Sequence, residues 1–176
     1  LIGDAGAELI LIDSPGINPF RPADLGKLSE ALEMSGALPV LVHPTDPPGV
    51  DMMDMTKFDL SWSVGFMFDT TLAFTRIILS GFLDKYPNLK LIAAHGGATL
   101  PYLAGRLDRC HEMIPACASV IRDKSSEYLK RIWYDTVVYD QRALEMCIAV
   151  AGSADRVLYG SDYPHNIGDM RGCLTR

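Results

Sequence analysis

The chain lacks any run of ~18 consecutive apolar residues, the length that a helical membrane span requires, so no transmembrane helix is expected. It is also short of positive charge, with 16 Lys and Arg against 22 Asp and Glu and a net charge of −6. That balance gives no electrostatic grip on nucleic acid. Cysteines are few, namely Cys110, Cys117, Cys147 and Cys173, and none stands in a CxxC pair. Neither a zinc knot nor a disulfide framework is indicated, and free buried thiols in a cytoplasmic protein are expected instead. No GxGxxG or Walker pattern follows the first apolar run, which weakens a nucleotide-binding reading. Low-complexity segments, internal linkers and a signal-peptide pattern are absent too.

What the chain does have is enough apolar content for a substantial core, 48% of its 176 residues. Five short apolar runs alternate with helical patterns. The strand candidates are 7–13, 39–43, 89–95, 131–136 and 156–160. Between them the periodicity predicts helices over 22–36, 66–84, from 99 past Arg109, over much of 110–130 with a break near Pro115, and over 140–151. The strand runs are too apolar to face water on one side. Alternating units of this kind predict a parallel sheet covered by helices.

Chemistry-bearing residues sit where several of these runs end, at Asp13, His43, His95, Asp135 and Asp162. An open doubly wound sheet gathers its chemistry at one switch point, whereas a (β/α)8 barrel spreads it around the carboxyl-end rim. The barrel is therefore the expected architecture. His43, His95 and Asp162 can meet only if their strands lie side by side and parallel, and imidazole and carboxylate together suit a divalent metal.

The remaining candidates have alternatives. Asp135 either touches the site or caps the helix that follows. Arg106 either pairs with Asp108 or Glu112, or holds a substrate carboxylate through two parallel hydrogen bonds. His165, three residues beyond Asp162, is either a rim residue or a substrate contact, and His111 reads as a surface residue. The segment from Pro44 to about Gly65 is longer than a usual connection. Its Trp62, with Met67 and Phe68 beyond it, reads as a lid or pocket wall or as packing on the barrel exterior. The chain opens at Leu1 without Met and ends at Cys173–Arg176, inside a new helical pattern, so residues 1–176 read as a single partial domain cut at both ends.

Three motifs stand together: Leu-Val-His43-Pro, Lys90-Leu-Ile-Ala-Ala-His95-Gly-Gly97 and Leu-Tyr-Gly-Ser-Asp162-Tyr-Pro. Between them lie Asp69-Thr-Thr-Leu-Ala73, Ser80-Gly-Phe-Leu-Asp-Lys-Tyr-Pro-Asn-Leu-Lys90 and Arg106-Leu-Asp. In these the chain resembles the amidohydrolase-related (amidohydrolase 2) family, which includes aminocarboxymuconate-semialdehyde and resorcylate-type decarboxylases and related lactone hydrolases. The resemblance implies the portion of a (β/α)8 TIM barrel from about strand 4 to strand 8, with a mononuclear divalent metal, zinc or alternatively manganese. It implies His43 and Asp162 as metal ligands, with His95 and Asp162 in catalysis. Arg106, Trp62 and His165 would meet the substrate.

The HxH or ExH pair of the family's first strand is missing here, so the chain by itself is expected to hold metal weakly or not at all. A decarboxylase of a small unsaturated or aromatic carboxylate is expected, with a hydrolase of a lactone, ester or amide bond as the alternative. A third reading is a catalytically incompetent fragment that self-associates. A homo-oligomer is expected because a cut sheet leaves open strand edges. No nucleic-acid or membrane partner is expected.

Overall fold

The computed structural model describes residues 10–13, 39–46 and 49–175. Five parallel strands form one sheet: β1 (Ile10–Asp13), β2 (Val40–His43), β3 (Leu91–Ala93), β4 (Trp133–Asp135) and β5 (Val157–Leu158). Their spatial order is their sequence order, β1-β2-β3-β4-β5. A doubly wound sheet reverses direction somewhere, and this one does not; it has the order of a barrel wall. The expected helix over 22–36 and the start of the first strand at 7–9 lie outside the described residues.

Each parallel step after β2 is made by helices, as a parallel crossover requires. A wide turn at Ser61–Gly65 leads into α1 (Phe66–Leu79), and α2 (Phe82–Lys85) follows before β3. From β3 the chain runs through α3 (Leu100–Met113), α4 (Pro115–Ala118) and α5 (Ser125–Leu129) to β4. The helix α6 (Gln141–Ala151) joins β4 to β5, and α7 (Met170–Thr175) follows the site-bearing segment after β5. The single helix expected over 66–84 is two, because Gly81 turns left-handed at φ 72°. A Cβ at Gly81 would lie 2.8 Å from Val120 Cγ1, so that position tolerates only glycine. Helix α6 is closed at both ends by its own sequence. The Asp140 carboxylate accepts from the Arg142 and Ala143 amides at its start, and Gly152 closes it at φ 78°.

The core lies between the sheet and these helices. Val40, Phe74, Leu91, Leu129 and Ile132 are almost wholly enclosed there, each contributing about 1.5–3 kcal/mol by leaving water. Tyr134 joins them, and its hydroxyl donates to the Leu129 carbonyl at 2.7 Å, so its polar end is satisfied. All four cysteines are free, but only Cys147 and Cys173 are buried; Cys110 and Cys117 are half-buried.

The last strand corrects an expectation. A buried strand over 156–160 reduces to Val157–Leu158, and Leu158 and Tyr159 are 39% and 52% exposed. Among the described residues β5 pairs with β4 alone. Apolar character in the sequence anticipated burial that this sheet edge does not supply.

Candidate active site

The strand register brings the site together. Val42 lies beside Ala93, so His43 and the residues just past Ala93 share one level at the carboxyl end of the sheet. His43 follows Val42 directly, and its Nδ1 stands 3.0 Å from the Pro44 carbonyl. A proton on Nδ1 makes that hydrogen bond and leaves Nε2 with a free lone pair. The following segment is fixed to α1, since the Thr45 amide donates to the buried Asp69 carboxylate at 3.1 Å.

After β3 the backbone makes an abrupt turn. His95, Gly96, Gly97 and Ala98 all have positive φ, from 56° to 73°. A run of this kind is costly for the two residues that are not glycine, and contacts from β4 hold it. The Asp135 carboxylate accepts from the His95 amide at 2.9 Å and from the Gly96 amide at 2.8 Å. The turn also lies flush against its neighbours. A Cβ at Gly96 would come within 2.1 Å of Val138 Cγ1, and one at Gly97 within 2.6 Å of the Tyr134 ring.

The turn presents a buried His95 side chain to the other candidates. Its Nε2 is 3.7 Å from Asp162 Oδ1, and its ring meets the His43 ring edge-on at 5.1 Å between centroids. One ligand atom from each of His43, His95 and Asp162 lies within 4.8 Å of the others. Asp162 also has a left-handed backbone, φ 60°, and its Oδ2 accepts from the Tyr139 hydroxyl at 3.2 Å. Two imidazoles and a carboxylate form a donor set for a divalent cation. His95 Nδ1 is buried without a hydrogen-bond partner, a cost in a folded interior. These residues therefore fit a cation.

Burial holds the His95 imidazole below its ordinary 6.5, against the upward pull of the Asp135 and Asp162 carboxylates. His95 is thus neutral at pH 7. Because its folded pKa is lowered, the folded chain binds fewer protons than the unfolded one, and this contribution to stability is complete above the unfolded value and lost as pH falls below it. Burial raises the Asp69 and Asp135 carboxyls, which acts in the opposite direction. The His95 part is therefore read as a difference: between pH 7 and pH 5 the parent chain should lose more melting temperature than His95→Gln. Equal losses in the two would remove the burial argument.

A cavity of about 480 Å³ opens beside the three residues, with Trp62, Phe66, Met67, Val138 and Tyr139 in its wall. The Trp62 ring meets Phe66 and His165 edge-on at 5.4 and 5.2 Å, so Trp62 and His165 both line this space. The half-exposed Phe68 is not in the lining; Phe66 takes the place expected of it. A second hollow of about 460 Å³ lies past the same residues and is lined by Leu41, Ala94, Asp135 and Gly160. Arg106 is exposed on α3 and lines neither space. Asp135 does not cap α6, a role that Asp140 fills.

Tyr139 escaped the sequence reading. Its signal is positional: it immediately precedes the Asp140 cap, and so sits on the rim between β4 and α6.

The amidohydrolase family profile matches residues 10–170. A 2-amino-3-carboxymuconate-6-semialdehyde decarboxylase of Dictyostelium discoideum is 32% identical over 160 residues, covering 90% of this chain and 41% of that protein. A 6-methylsalicylic acid decarboxylase of Penicillium expansum is 29% identical over 152 residues, covering 83% of this chain and 43% of that protein. Among solved structures, 5-carboxyvanillate decarboxylase of Novosphingobium aromaticivorans, complexed with manganese and 4-hydroxy-3-methoxy-5-nitrobenzoic acid, matches with a TM-score of 0.77. It is 27% identical, and the match covers 94% of this chain and 49% of that one. The chain spans less than half the length of each of these relatives.

Proposed function

The chain belongs to the amidohydrolase family, and on that footing we propose that its site, completed by a divalent cation, decarboxylates a small aromatic or unsaturated carboxylate. The observation that carries this reading is the convergence of His43, His95 and Asp162 within 4.8 Å, beside an aromatic-walled cavity. His43 Nε2 and the Asp162 carboxylate would hold the cation. When bound, it stabilises negative charge on the substrate's oxygens. Manganese in the 5-carboxyvanillate decarboxylase complex favours that ion alongside the expected zinc.

The side chains supply the rest. Trp62 and Phe66 enclose a flat ring and exclude water, with His165 at the side of the same space. Neutral His95 takes up a proton at a ring nitrogen and passes it to the carbon that loses its carboxylate. The C–C electron pair takes that proton, CO2 leaves, and each turnover consumes one proton. A panel of hydroxybenzoates and unsaturated dicarboxylates, incubated with excess Mn2+ because this chain without the HxH pair is expected to hold metal weakly, should release CO2 in step with substrate loss. His95→Gln should lower the rate by about a hundredfold or more, the usual scale of general acid–base catalysis. Ring opening or ester hydrolysis without CO2 would overturn the lyase reading.

Self-association belongs to the same proposal. The edge of β5 that pairs with no strand among the described residues, with Leu158 and Tyr159 exposed, is a template for another chain. Sedimentation at low micromolar concentration should give a multiple of 19.3 kDa, and a well-behaved monomer would refute it. No helix among the described residues is long and apolar enough to cross a membrane. A cytoplasmic setting, expected from the sequence, belongs to the same proposal.

A further inference from the structure

Strand β4 contributes no ligand candidate to the site, yet its last residue and the next one are bonded to both loops that do. Asp135 divides its carboxylate between two jobs. Oδ2 accepts from the His95 amide at 2.9 Å, while Oδ1 accepts from the Gly96 amide at 2.8 Å and from the Val137 amide at 3.0 Å. Thr136 faces the other neighbour. Its hydroxyl donates to the Gly160 carbonyl at 2.9 Å and accepts from the Gly160 amide at 3.1 Å. Gly160 lies two residues before Asp162, and a Cβ on it would sit 3.1 Å from Asp135 Cβ, so this strap runs close against β4. His95 and Asp162 both have left-handed backbones, and these bonds tie His95 directly, and the strap before Asp162 through Gly160, to the end of β4.

We propose that Asp135 and Thr136 are positioning residues, a brace at the end of β4 that sets His95 and Asp162 at their working separation. The proposal rests on the reading of these two as site residues. Backbone N–H groups on a shared carboxylate and a two-way hydroxyl bond are short and directional. They fix two turns against one strand, whereas direct contact between the two side chains is only 3.7 Å and weakly directional.

The brace predicts different effects for different substitutions. In Asp135→Asn the amide oxygen can replace Oδ1 and keep the Gly96 and Val137 bonds. The NH2 then opposes the His95 N–H, a donor against a donor, so His95 is released selectively. In Thr136→Val both Gly160 bonds vanish without a change of shape, and Thr136→Ser restores the hydroxyl.

Isotope-labelled parent and variant chains would be compared by NMR without metal or substrate. In Asp135→Asn the His95 amide should exchange about tenfold faster or more, the scale of a lost charged hydrogen bond, and the His95 ring signals should move. In Thr136→Val the Asp162 amide signal should move, and in Thr136→Ser it should stay near the parent position. His95 ring and Asp162 signals unchanged in both Asp135→Asn and Thr136→Val would overturn the brace. If Asp135→Asn fails to fold, the Thr136→Val and Thr136→Ser pair decides alone. A Mn2+ titration of the same samples separates the two readings. The titration is carried to excess metal because this chain is expected to hold the ion weakly; it tests the cation site, while the signal shifts seen without metal judge the brace.

Discussion

If the proposed site holds Mn2+ at excess metal, Asp162→Asn is expected to remove that weak binding and the decarboxylation proposed for it, while leaving the fold as stable as before, or slightly more so. The Asp162 side chain is only 7% exposed. Its polar contacts are His95 Nε2 at 3.7 Å and the Tyr139 hydroxyl at 3.2 Å. His95 is held neutral by its burial, so neither contact offers a full positive charge. A carboxylate taken from water without a cationic partner destabilises a fold unless a cation or hydrogen bonds offset the cost. Asparagine keeps the shape and can still accept from Tyr139, but it cannot supply the negative ligand. Cation affinity should fall roughly a hundredfold or more, the scale of about 3 kcal/mol for a charged interaction. Calorimetric titration with Mn2+ and a thermal melt on the same preparation test both halves. A melting temperature lowered by several degrees with affinity intact would make Asp162 a structural residue.

Gly96→Ala should have the opposite profile, a large loss of stability at a residue with no functional group. At φ 60° an alanine bears the strain of a left-handed backbone, about 1–2 kcal/mol. Its Cβ would also stand 2.1 Å from Val138 Cγ1, and overpacking of this kind costs about 1–3 kcal/mol. The sum, about 2–5 kcal/mol, corresponds to a fall in melting temperature of roughly 5–15 °C for a domain of this size. The two causes separate in a double substitution. Gly96→Ala with Val138→Ala removes the collision and keeps the strain, so it should recover only part of the loss. A single Gly96→Ala chain melting within about 2 °C of the parent would show that the turn can open freely, and would weaken the account of how His95 is aimed.

The parts of this protein legible in its sequence are those that depend on near neighbours along the chain. The parallel sheet followed from apolar runs too uniform for a half-solvated sheet, and the barrel from chemistry-bearing residues at several strand ends. His43, His95 and Asp162 were found because each closes or shortly follows such a run, and parallel strands place all such ends on one rim. The helix split at Gly81 and the short, exposed β5 were not legible, because each depends on a contact or its absence elsewhere: Val120 against one, no second partner strand among the described residues beside the other.

Asp135 is the clearest case. From its local window it could cap α6 or face the site; in the fold it binds the backbone of a turn 40 residues earlier. Tyr139 likewise gained its place only through Asp162, 23 residues later. The sequence by itself determined which residues meet at the candidate site and at which end of the sheet they lie, since burial and periodicity act over a few residues. Only the tertiary structure decided how they are held, because left-handed turns and shared carboxylates depend on hydrogen bonds between segments that are distant in the chain.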